Sequence, residues 1–151
     1  MRVAKEEPIS EFTLRRYERP KNVSGRELVK KLCLSLGLLQ PGDSRDIIID
    51  ILHVLLIKKE LRCSDIEKQV IDYRENNNIP VIGVASSNIR RQLKRLREIY
   101  LIEKKGINYR IMNNAPLTES FEDNMQPHID NSIKRIKDYL SAVDREFNAQ
   151  K

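Results

Sequence analysis

The chain has 151 residues, 40% hydrophobic and 33% charged, enough apolar content for one globular domain with short appendages and too little for a second core. Only eight aromatic residues and no Trp are present, so a core of Leu, Ile and Val in a mostly helical protein is expected. Cys33 and Cys63 have neither Cys-x-x-Cys spacing nor a flanking His, which argues against a disulfide framework or a zinc site and leaves two reduced thiols.

Residues 1–23 alternate charges around Pro8 and Pro20 without a sustained period, as in a mobile or loosely packed arm. Arg15, Arg16, Arg19 and Lys21 would be at hand there for a partner. This start lacks the apolar core of a signal peptide, so a cytoplasmic protein is expected. Ser24 and Glu27 have capping-box spacing. A helix should follow through Leu28, Val29, Leu32, Cys33 and Leu36 and stop at Gly37, with Pro41 and Gly42 forming a turn; this makes 24–43 an N-terminal helix and turn.

Asp43 or Ser44 would cap the next helix, whose residues 47–57 are apolar except for Asp50 and His53. A helix apolar almost all round belongs at the centre of the fold. The stretch is far shorter than the roughly 20 residues of a membrane span, so no membrane partner is expected. His53 is read as a hydrogen-bonded core residue and not as a ligand, since no second ligand is nearby. A third helix is predicted from Ser64, with Glu67 at capping-box spacing and Ile66, Val70 and Ile71 buried. Residues 79–85, with Pro80 and Gly83, read as a connector or short strand, after which Ser86 or Ser87 would cap a fourth helix to about Tyr100.

On that fourth helix Ile89, Leu93, Leu96 and Tyr100 share a core-facing stripe. Ser87, Asn88, Arg91, Lys94 and Arg95 then project outward, flanked by Arg90 and Arg97. Beyond it, 101–104 and 107–112 around Lys105 and Gly106 read as a β-hairpin, with Ile107, Tyr109 and Ile111 on one face. Residues 86–112 hold eight basic side chains against Glu98 and Glu103, which accounts for the whole +6 of the chain. One compact basic segment on an otherwise neutral chain is an electrostatic footprint for a polyanion, nucleic acid first. Arg and Asn read purine edges bidentately in a major groove, whereas Lys and the flanking Arg suit phosphates.

The string S-S-N-I-R-R-Q-L-K-R-L-R-E-I-Y-L-I-E-K-K-G-I-N-Y-R-I at 86–111 resembles winged-helix transcription regulators of the small bacterial and archaeal kind. The likeness covers 44–112 and implies a mostly α protein with a small β-hairpin, α+β in class: a winged helix-turn-helix domain between an extra N-terminal helix and a C-terminal dimerisation helix. It implies a recognition helix at about 87–99 in the major groove and a wing at about 101–112 on the backbone or minor groove. Ser87, Asn88, Arg91 and Arg95 become base-facing candidates, and Lys104, Lys105, Asn108 and Arg110 become wing contacts. The 76–85 connector is longer than the usual three-to-four-residue helix-turn-helix turn.

Residues 113–126 are expected to form a linker, and Pro127 to open a final helix over 127–151. There Ile129, Ile133, Ile136, Leu140, Val143 and Phe147 recur at alternating spacings of four and three, a heptad seam that suggests a homodimer, with packing on the same chain as the alternative. Phosphate-loop glycines, nucleophile elbows and clustered His or carboxylates are missing from the sequence, so no enzyme, cofactor, metal or small-molecule effector is expected. The function expected is a sequence-specific double-stranded DNA-binding transcription regulator. The alternative is a winged-helix module that binds an acidic protein or RNA within a larger complex.

Overall fold

The computed structural model describes residues 8–16 and 18–148; the first seven residues of the expected arm, residue 17, and the last three of the expected final helix lie outside the described residues. In chain order the elements are α1 (Gly25–Ser35), α2 (Ile47–Lys58), β1 (Glu60–Arg62), α3 (Cys63–Asn76), α4 (Ser86–Glu98), β2 (Ile102–Lys105), β3 (Asn108–Ile111), α5 (Leu117–Ser120), a π-helical segment (Phe121–Met125) and α6 (Gln126–Asn148). The expected α+β class, mostly helical with a small β part, is what forms, and the expected hairpin is two strands of a three-stranded antiparallel sheet.

The helix α2 is central as its composition requires: Ile47, Ile48, Ile49, Ile51, Leu52, Val54 and Leu55 are all buried. Around it pack α1 through Val29 and Cys33, α3 through Ile66 and Val70, and α4 through Ile89, Leu93 and Leu96. The expected N-terminal unit at 24–43 therefore shares one core with the rest. Ile99 completes the α4 stripe, and Tyr100 stands just past the helix end, half-buried.

A strand that no pattern announced, β1, joins the hairpin. The sheet order is β1-β3-β2, antiparallel throughout, with Leu61 opposite Tyr109 and Glu103 opposite Arg110. Three residues are too few to show an alternation. The hairpin turn is Gly106-Ile107, with Gly106 at φ +64, so the first turn position takes the left-handed conformation that tight hairpins demand. Tyr109 and Ile111 are buried, but Ile107 is 68% exposed: the turn carries it beyond the core instead of onto the expected shared face.

Several local expectations need correction. Neither predicted capping box forms, and Ser24 makes no side-chain cap bond. Arg62 precedes α3, which starts one residue before Ser64, and Ala85 precedes α4, with Ser86 already inside the helix. Asp46, not Asp43 or Ser44, stands at the N-cap of α2, and its carboxylate is drawn away to two arginines. Residues 77–85 form no strand. The arm is docked in part, since Phe12 packs on the core and Arg15 donates to Gln40 at 2.8 Å. Gly37, at φ +74, lies directly under the Glu11 carbonyl, and a Cβ there would collide with it.

The linker is shorter than expected. A 3-10 turn at Met112–Asn114 leads to α5 at Leu117, and backbone helicity continues through the π segment into α6. Leu117, Phe121 and Met125 dock this rod on the core, and α6 then has no buried residue.

Candidate nucleic-acid interface

The outward ridge of α4 is made by Ser87, Arg91 and Lys94, all exposed, and ends at Glu98. Lys94 meets Glu98 at 3.8 Å, so the ridge holds one i,i+4 ion pair, and its C-terminal end is partly neutralised. Arg90 and Arg97 are exposed on one flank. Arg97 there shares a shallow groove with Lys94, Tyr100, Glu103 and Lys104, between α4 and the hairpin. Arg90 lies against the Cys63 thiol; burial raises the pKa of that thiol, the Glu67 charge adds to the rise, and Arg90 opposes it.

The opposite flank is built differently. Arg95 is half-buried and donates to the Leu38 carbonyl and to Gln92 Oε1, both at 2.8 Å. Asn88 is committed as well: Nδ2 donates to the Gly83 carbonyl at 2.7 Å, while Oδ1 accepts from Arg91 at 2.7 Å and from Gln92 at 3.1 Å. These bonds fix the start of α4 on the connector and fasten its flank to the 37–40 loop. They leave Arg91 as the arginine of the expected base-facing set that projects furthest. A depression beside it is lined by Gly37, Gln40, Asp43, Arg45, Gln92 and Arg95, and Arg45 and Arg15 enlarge the basic surface from segments remote in sequence. Only Arg15 among these was anticipated; Arg45 is a lone cation in a turn, with no sequence signal to single it out.

On the hairpin the four expected wing residues divide. Lys105 is exposed, and Lys104 stands 5.7 Å over the Tyr109 ring, a cation–π placement that keeps its ammonium at the surface. Arg110 pairs with Glu103 across the strands at 2.8 Å, and Asn108 donates to Glu60 Oε2 at 2.9 Å. Although burial acts to raise it, the Glu103 carboxyl is held below its usual range by the Asn113 N–H and the Arg110 guanidinium. Arg110 and Asn108 thus brace the sheet, and the lysines carry its accessible charge.

Where α1, α2 and α3 meet lies a buried ionic cluster that sequence patterning missed. Asp50, fully buried on α2, accepts from Arg26 Nε at 2.9 Å and from Arg74 Nη2 at 2.6 Å. Asp46 accepts from the same two guanidinium groups at 3.1 and 2.6 Å. Burial favours the neutral acid, yet the Arg74 and Arg26 bonds hold the Asp46 carboxyl below its usual range. Arg74 also donates to the Pro80 carbonyl at 2.8 Å, and Ile79 N–H bonds to the Arg74 carbonyl at 2.9 Å. Arg74 therefore ties α3 to α2 and to the long connector, and Arg26 joins α1 to the same two carboxylates.

His53, one turn along α2, meets Tyr73 edge-on at 5.3 Å between ring centroids, and its buried Nδ1 has no hydrogen-bond partner. The hydrogen bond expected of His53 is thus not made at Nδ1. Among the described residues no group of three or more His, Cys, Asp or Glu could hold a metal, and no helix is long and apolar enough to cross a membrane. No protein family, curated protein or solved structure matches the chain significantly.

Proposed function

We propose that the protein is a winged-helix regulator that binds double-stranded DNA with α4 in the major groove and the β2-β3 hairpin against the backbone. The observation that carries this reading is the exposed basic ridge of Ser87, Arg91 and Lys94, flanked by Arg90, Arg97, Lys104 and Lys105, on a protein whose excess charge lies entirely in 86–112. The order of α2, α3 and α4 followed by the β2-β3 hairpin supports it, because the winged-helix resemblance implies helices leading into a hairpin wing over 44–112. Arg91 and Ser87 read bases, while the lysines and flanking arginines hold phosphates. Self-association through α6 doubles the reader and matches two half-sites. Selection of bound duplexes from a random pool at several salt concentrations tests this, and a two-half-site sequence is the expected outcome. Preference for single-stranded RNA or an acidic protein over every duplex would replace it with the interaction-module reading.

A further inference from the structure

We infer that two copies of the chain pair through α6 as a staggered antiparallel coiled coil, centred between Ser141 and Ala142, with Lys137 of each copy facing Asp144 of the other. The inference rests on the self-association reading and gives it an orientation and a register.

The exposed apolar seam is not uniform along α6. Ile129 is half-buried near the domain, Ile133 is 47% exposed, and Ile136, Leu140, Val143 and Phe147 are 58, 59, 52 and 73% exposed. The surface most in need of cover is therefore the distal half. The spacings place Ile133, Leu140 and Phe147 at heptad position a, and Ile129, Ile136 and Val143 at d. A parallel two-stranded coil favours β-branched residues at a and Leu at d, and this seam has largely the reverse. A parallel pair would also set Lys137 beside Ser132 and Asp144 beside Tyr139, with no opposite charges meeting.

In an antiparallel pair a faces d, and the e positions, here Asp130, Lys137 and Asp144, face one another across one edge of the seam. Overlap of all six apolar residues would bring Lys137 against its own copy and Asp130 against Asp144, like charges at every e contact. Sliding one heptad towards the domain pairs Asp130 with Lys137 but leaves Val143 and Phe147 uncovered. Sliding one heptad the other way pairs Lys137 with Asp144 twice, sets Ile136 against Phe147 and Leu140 against Val143, and places Tyr139 by Glu146. This register alone covers the distal seam and has opposite charges at both edge contacts. Lys137 and Asp144 are both exposed, and among the described residues Asp144 accepts a long bond from Asn148, at 3.4 Å, within its own helix.

Sedimentation of the full chain and of Lys137→Asp, Asp144→Lys and the double charge swap reads the register directly. The wild type is expected to be a dimer, each single variant to weaken dimerisation about tenfold or more as two attractive contacts become repulsive, and the double variant to recover it. Full-overlap pairing predicts that Asp144→Lys strengthens the dimer, and the domain-proximal register predicts no effect of Asp144→Lys and no recovery in the double variant. A parallel pair gives small changes without rescue. Any of these patterns, or a wild-type tetramer, overturns the staggered register and leaves self-association standing, whereas a monomeric wild type overturns both. Both positions lie on the exposed face of α6, and unchanged circular dichroism of each variant excludes unfolding as the cause.

Discussion

Arg91 and Arg95, one helical turn apart on α4, have different work because of what lies beside them. Arg95 is anchored on the Leu38 carbonyl, so Arg95→Ala should cost about 1 kcal/mol of stability in urea unfolding. Arg91 hydrogen-bonds to Asn88 on its own helix and is otherwise exposed, so Arg91→Ala should leave unfolding unchanged while lowering affinity for the selected duplex by about 1–3 kcal/mol. Equal losses on selected and random DNA would reduce Arg91 to a phosphate contact. Arg74 shows the cost of burial: Arg74→Ala would leave Asp50 buried with Arg26 as its remaining guanidinium, and unfolding should become easier by about 3–5 kcal/mol. Stability unchanged in that variant would mean that the cluster is dispensable.

His53 gives the stability a pH dependence of defined sign. Burial depresses its pKa below the ordinary 6.5, the Asp50 charge opposes that shift, and Arg26 adds to it. The unfolded chain therefore takes up the proton first. The stability is complete above about pH 6.5 and is lost as pH falls from there through the lowered folded value. His53→Phe should flatten the unfolding midpoint over that window, and a slope equal to that of the wild type would place its origin elsewhere. Asp46, also depressed, acts in the same direction but only in the acid range below the ordinary carboxylate value of 3.8.

At the scale of the element, the hairpin is short, a two-residue turn between four-residue strands, and its polar inner residues brace each other. Its accessible charge is thus Lys104 and Lys105. Replacing each by Ala should weaken binding to all duplexes alike and reduce the slope of log affinity against log salt by about 1 per contact removed. An unchanged slope in both would mean that the hairpin stays off the DNA. The connector of residues 77–85, too long for a standard helix-turn-helix turn, is held by Arg74 on its Pro80 carbonyl and by Asn88 on Gly83, so its length need not loosen α4.

At the scale of the whole molecule, α6 stands off the domain with its apolar seam uncovered, and association and DNA binding should be coupled. Leu140→Asp, which puts a charge in that seam, should give monomers in sedimentation and weaken binding to a two-half-site duplex far more than to a single half-site, because linkage supplies a high effective concentration. A soluble variant that remains dimeric would move the interface to another surface. In the antiparallel arrangement the two helix starts lie roughly 45 Å apart at 1.5 Å rise per residue, so the two basic ridges stand at opposite ends of the pair.

Composition made α2 central and located the basic charge in 86–112, while periodicity gave α4 its buried stripe of Ile89, Leu93 and Leu96 and announced the hairpin at Gly106, because burial and helical phase are local consequences of residue order. The missing side-chain cap of α2 has a reason local pattern does not contain: Asp46 at its N-terminus could stabilise a helix start or a guanidinium, and Arg26 and Arg74, 20 and 28 residues away, decided for the ion pairs. Three-residue β1 exists only because β3 is there to pair with it. The tertiary structure likewise separated exposed Arg91 from anchored Arg95 and exposed Lys105 from paired Arg110, since which cation stays at the surface and which meets a carbonyl or carboxylate depends on what the folded chain brings within hydrogen-bonding reach.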